Sequence, residues 1–145
     1  MAEHASSSAR PGGTGGEHPG AGVRLGLPAT GRGAVAGWGR RVLGLLVDWV
    51  AATLIAQAFL PGLGREIGPL AVLVVMHVLL VSTIGTSLGH AVTGIAVRTL
   101  DGRPVGFARG TARTLLLVLV IPAVVTDPDR RGLHDRAAGT VVVRR

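Results

Sequence analysis

Two titratable side chains stand inside long apolar stretches of this 145-residue chain. Asp48 interrupts Val42-Leu43-Gly44-Leu45-Leu46-Val47-Asp48-Trp49-Val50, and His77 interrupts Leu73-Val74-Val75-Met76-His77-Val78-Leu79. A carboxylate in the middle of a membrane helix costs about 2.5 to 3.5 kcal/mol on insertion scales, so it ordinarily faces protein or water and has a partner. Asp48 is therefore a candidate ion or proton site; the competing reading is a packing contact between helices. Histidine titrates near neutrality, so an Asp48–His77 pair could relay a proton, with His77 as the accessory. Its competing reading is an imidazole bonded to a carbonyl. Arg41 precedes Asp48 by seven residues, two turns away on the same helical face. That separation is about 10 Å along the axis, too far for ready contact within one helix. The partner of Asp48 is expected on a neighbouring helix, on another subunit, or in water.

A second group of polar residues lies near the C-terminus, in Leu133-His134-Asp135-Arg136. No third residue completes a nucleophilic triad with His134 and Asp135. Asp127 could join them around a metal, but the spacing matches no metal motif, and a salt-bridged interfacial turn is the preferred reading. Gly85-Thr86-Ser87-Leu88-Gly89-His90 has glycines that permit a sharp backbone change, yet it lacks the lysine of a phosphate loop. The absence of cysteine excludes disulfides, thiolate metal sites and cysteine nucleophiles. With no catalytic constellation in view, the chain reads as a non-enzyme with no metal and no cofactor.

The elements that must position these residues are apolar helices. Residues 42–60 are long enough to span a bilayer, which takes about 20 apolar residues. Pro61-Gly62 ends that run, and a short loop at 62–68 carries Arg65 and Glu66. A second helix is expected at 69–84, with Pro69 in its first turn. A third, short apolar helix is expected at about 111–126, either spanning or re-entrant. Ile95-Ala96-Val97-Arg98-Thr99-Leu100 alternates and runs into Asp101-Gly102, which reads as a strand and turn. Residues 139–144 are also strand-like and could pair with it. Residues 1–37, rich in Gly, Ser and Pro at the start, read as a disordered tail before a membrane domain at 38–145. The fold class is thus an all-α membrane protein: a helical hairpin, a third short helix, a small cytoplasmic strand pair and a disordered leader. Arg40-Arg41 before an apolar run resembles a twin-arginine signal, but Asp48 inside the run and the further hydrophobic segments oppose cleavage.

Arginine placement orients the hairpin. Arg32, Arg40 and Arg41 flank the first helix, and Arg98, Arg103, Arg109 and Arg113 follow the second, so both basic flanks are expected in the cytoplasm. A re-entrant third run would keep Arg130, Arg131, Arg136, Arg144 and Arg145 there too. Arg98, Arg103, Arg109, Arg113, Arg130 and Arg131 are then expected to contact anionic lipid headgroups.

Three segments, taken in order, resemble the RDD family of small membrane proteins, named for an arginine and two aspartates. Arg40-Arg41-Val42-Leu43-Gly44-Leu45-Leu46-Val47-Asp48 is similar to the family's opening, which carries the arginine onto Arg41 and the first aspartate onto Asp48. Gly85-Thr86-Ser87-Leu88-Gly89-His90 through Asp101-Gly102-Arg103-Pro104 resembles its Gly-x-Thr-x-Gly-basic stretch and following strand. Arg131-Gly132-Leu133-His134-Asp135-Arg136 resembles its closing His-Asp motif and carries the second aspartate onto Asp135. His90 departs from the usual Lys or Arg, so a charge-pairing or lipid-phosphate role there would depend on pH. The resemblance implies a bacterial inner-membrane protein, and for some members monovalent cation/proton exchange.

Composition agrees with a membrane location. Hydrophobic residues make up 48% and charged residues 16%, with mean hydropathy +0.50. Ordinary soluble domains carry about 25% charged residues, so the composition argues against a soluble enzyme with a large core. The net charge of +7 is carried on arginine alone. Two functions follow as expectations: an oligomeric transport or cation/proton exchange component, or a non-catalytic scaffold binding lipid headgroups or a partner protein. Expected partners are membrane lipids and further membrane subunits, with no nucleic acid.

Overall fold

The computed structural model describes residues 22–119 and 131–145. Two long helices dominate it, α1 (Trp38–Phe59) and α2 (Gly64–Ile84), joined by a 3₁₀ turn at Pro61–Leu63. Both are long and apolar enough to cross a membrane. Their burial is inside-out relative to a soluble core. α1 buries Gly44, Asp48, Ala52 and Ala56, a stripe of small residues and one carboxylate at four-residue spacing. Its large apolar side chains point away, with Leu54 64% and Phe59 78% exposed. α2 turns Pro69, Leu73, His77 and Val81 inward at the same spacing. Small residues let the helices approach closely, the usual packing device where lipid offers no hydrophobic drive.

After α2 the chain folds back. Gly85 ends the helix in the left-handed region, at φ 73°, and a Cβ there would meet the Val97 carbonyl at 2.6 Å. Then come α3 (Leu88–Thr93), β1 (Ile95–Thr99), α4 (Phe107–Val118), α5 (Leu133–Ala137) and β2 (Thr140–Arg144). β1 and β2 pair antiparallel, with Ile95 opposite Arg144 and Thr99 opposite Thr140. Residues 33–36 lie along the free edge of β2: Gly33 N–H donates to Arg144 O, and Ala36 N–H to Val142 O. A core of Ala36, Val81, Ile95, Val97, Val105 and Val142 ties this sheet to the end of α2.

Several expectations change. The tail expected at 1–37 divides: 1–21 lie outside the described residues, whereas Ala34, Val35 and Ala36 are buried on the sheet. Backbone pairing to β2 holds this segment, which composition alone does not register. All three helices start earlier than their apolar runs, at Trp38, Gly64 and Phe107 rather than 42, 69 and 111. Hydropathy marks the apolar part of a helix, while its polar first turns are stabilised by tertiary contacts. The expected 62–68 loop is therefore mostly helix, and Pro69 sits inside α2 rather than in its first turn. The third apolar run is described only to residue 119; the rest of 111–126 lies outside the described residues. The two short helices α3 and α5 stand where the sequence suggests a sharp backbone change and an interfacial turn.

Candidate functional site

The Gly85–Thr93 segment runs back along α1 and brings its polar groups to Asp48. Contact between backbones makes this possible. A Cβ on Gly89 would lie 1.8 Å from the Gly44 carbonyl oxygen, so glycine is required there. With Gly44 one turn before Asp48, α3 sits against α1 where the carboxylate can receive its first turn. Gly89 N–H donates to Asp48 Oδ1 at 2.7 Å, and the Ser87 hydroxyl donates to Oδ2 at 2.5 Å. Ser87 also caps α3, accepting from His90 N–H at 3.2 Å. From α2, His77 Nε2 comes to 3.5 Å from Asp48 Oδ2. Asp48 is 0% exposed and thus joins three helices. The neighbouring-helix partner expected for Asp48 is here three groups: Ser87, Gly89 and His77.

His90 has a different place from the lipid-facing one considered for it. It is buried, its Nδ1 accepts from Ser87 N–H at 3.4 Å, and its ring meets that of His77 edge-on with centroids 6.0 Å apart. Burial, reinforced by the charge of Arg113 and by His77, pushes its pKa down to about 3, so the imidazole is neutral.

A second cluster forms around Asp135, also 0% exposed. Arg113 Nε on α4 donates to Oδ1 at 2.7 Å, and Arg41 Nη1 on α1 donates to Oδ2 at 3.1 Å. The Thr140 hydroxyl lies 3.3 Å from Oδ1, and His134 Nε2 lies 3.5 Å from it. Burial alone would raise this carboxyl, but Arg113, His134 and Arg41 together hold it below the ordinary carboxylate range. Arg41 also donates through Nε to the Ala36 carbonyl at 3.1 Å, locking the start of α1 to the sheet edge. Arg41 thus reaches Asp135, 94 positions along the chain, rather than Asp48.

A sequence model of the RDD family matches residues 35–139. The chain belongs to the RDD family. Searches among curated proteins and solved structures return no match. In this RDD domain, Arg41 and Asp135 are one ion pair, and Asp48 belongs to an adjoining polar cluster. Arg113 links the two, because its charge acts on both His77 and His90 while its Nε holds Asp135.

The six arginines expected at lipid headgroups separate accordingly. Arg98, Arg103 and Arg109 are exposed. Arg113 is 3% exposed and ion-paired, and Arg131 is buried with Nε on the Thr140 carbonyl at 3.2 Å. Both are corrections: each guanidinium is buried against an acceptor of the protein itself and is not presented to headgroups. Arg130 lies outside the described residues. Sequence reasoning missed Ser87, Gly89 and Arg113 as site members. In the sequence the glycines of 85–90 suggest backbone turning, and Arg113 reads as one of the surface charges. Among the described residues no group of acidic or histidine side chains is arranged to hold a metal.

Proposed function

We propose that this RDD domain is the membrane-embedded part of an oligomeric monovalent cation/proton exchange component, with Asp48 as its ion or proton site. The observation that carries the reading is the Asp48–His77 contact, 3.5 Å between two buried titratable groups on two helices of membrane length. Intramembrane ionisable pairs of this kind mark proton and ion paths. Loss of a proton from Asp48 leaves a negative charge that a monovalent cation can balance. Two long helices enclose no pathway, so several copies or a partner subunit complete it.

The proposed topology is multi-pass in a bacterial inner membrane, with the N-terminus and the sheet in the cytoplasm. The pairing of β1 with β2 supports it. Antiparallel pairing of residues 95–99 with 140–144 favours placing both strands on one side of the membrane. The exposed Arg98, Arg103 and Arg109 support a second reading, a scaffold that holds anionic headgroups without transport.

Cation-dependent proton flux in proteoliposomes decides between them. The exchange reading expects flux that Asp48→Asn abolishes while the oligomer persists. A folded oligomer with no flux overturns it and leaves the scaffold.

A further inference from the structure

The polarity of the hydrogen bonds around Asp48 counts its protons. A carbonyl oxygen only accepts, so His77 Nδ1, 3.2 Å from the Leu73 carbonyl, must carry a hydrogen. In a neutral imidazole the other nitrogen then bears a lone pair, and that nitrogen is the one facing Asp48 Oδ2. A carboxylate opposite a lone pair is repulsive, and here both groups are buried. The contact is attractive only with a hydrogen on Nε2 or on Oδ2. The Ser87 hydroxyl and Gly89 N–H commit their hydrogens to Asp48, so they leave this need of His77 Nε2 unmet.

We propose that Asp48 and His77, 3.5 Å apart at Oδ2 and Nε2, carry one proton in common, resident on one of these atoms or the other, and act as one acid, with Nδ1 of His77 committed to Leu73. This deepens the exchange reading and rests on it for its use, though not for its existence. With the proton in place the pair is neutral overall, as imidazolium with carboxylate or as imidazole with carboxylic acid. Release of that proton gives a pair of charge −1 and removes the attraction between α1 and α2 at this level. His77 is then half of the proton site rather than an accessory. The groups facing the pair are His90 from α3 and Arg113 from α4, with Asp135 and Arg41 behind Arg113. His90 is bonded oppositely: its Nδ1 accepts from Ser87 N–H, so its hydrogen is on Nε2.

Nitrogen-15 solid-state spectra of the histidine-labelled full chain in phospholipid bilayers test this directly, with His77 and His90 assigned through their backbone correlations. The expected result is two opposite states in one spectrum: His77 protonated at Nδ1 with Nε2 hydrogen-bonded, and His90 with a bare Nδ1. On raising pH, the Nε2 signal of His77 and the side-chain carboxyl carbon-13 signal of Asp48 should shift together at one midpoint. In Asp48→Asn that linked shift should be lost. A His77 that carries its hydrogen on Nε2 with a bare Nδ1, or that shows a bare Nε2 unresponsive to pH, overturns the proposal from the wild-type spectra alone, even where the variant does not fold. A shared proton in a protein without flux keeps this inference and removes the exchange reading.

Discussion

Asp135 and Asp48 meet burial in different ways. Asp135 receives two guanidinium groups, whereas Asp48 receives a hydroxyl, a backbone N–H and an imidazole. Removing one partner of a buried ion pair leaves an uncompensated charge and costs about 3 to 5 kcal/mol. Arg113→Ala leaves Arg41 on Asp135, so it should destabilise the domain clearly but by less than that full amount, measured as thermal or denaturant unfolding in detergent. Arg109→Ala, one turn earlier on the same helix but exposed, should change it little. Equal small effects from both would mean that Arg113 does not carry the Asp135 contact.

At the scale of elements, the decisive contact is the one between α1 and α3, at Gly44 and Gly89. Gly89→Ala places a methyl group 1.8 Å from the Gly44 carbonyl oxygen, and neither backbone can yield without parting the helices. Overpacking of this kind costs about 1 to 3 kcal/mol or more. It would also pull Gly89 N–H from Asp48. Gly44→Ala meets the Thr93 hydroxyl at 3.2 Å and the Gly89 carbonyl oxygen at 3.3 Å, tight contacts but far longer than that of Gly89→Ala. Gly89→Ala should thus lower the unfolding temperature in detergent clearly more than Gly44→Ala. The reverse order would place the tight contact elsewhere.

For the whole molecule, the sheet fastens the three segments that follow or precede the long helices. Residues 33–36, β1 and β2 lie side by side, and Arg41 joins them through Ala36 and Asp135. The turn at Pro61–Leu63 lies at the far end of the hairpin. The chain has no cysteine, so single cysteines report sidedness without background. A membrane-impermeant thiol reagent added to intact cells should label Leu63→Cys and spare Arg103→Cys and Arg145→Cys. Labelling at 145 without labelling at 103 would contradict the strand pairing itself.

The hairpin, the strands and the need of Asp48 for a partner were legible from residue order alone, because each has a local cause, whereas Arg41 and Asp135 were marked only by the family resemblance. Long apolar runs demand helix in a lipid environment, alternation marks a strand, and a carboxylate among apolar neighbours calls for a partner. Which partner it finds has no local cause. Arg41 and Asp48 share a helix face, yet Arg41 turns to Asp135, because the sheet brings α5 to the start of α1. Arg113 counted as one more basic residue until the packing of α4 buried it against the same aspartate. Gly89 suggested a turn, but its missing side chain serves a contact with a residue 45 positions earlier. Such pairings depend on the distance and direction of approach between elements, and these arise when small residues on several helices let their backbones close together.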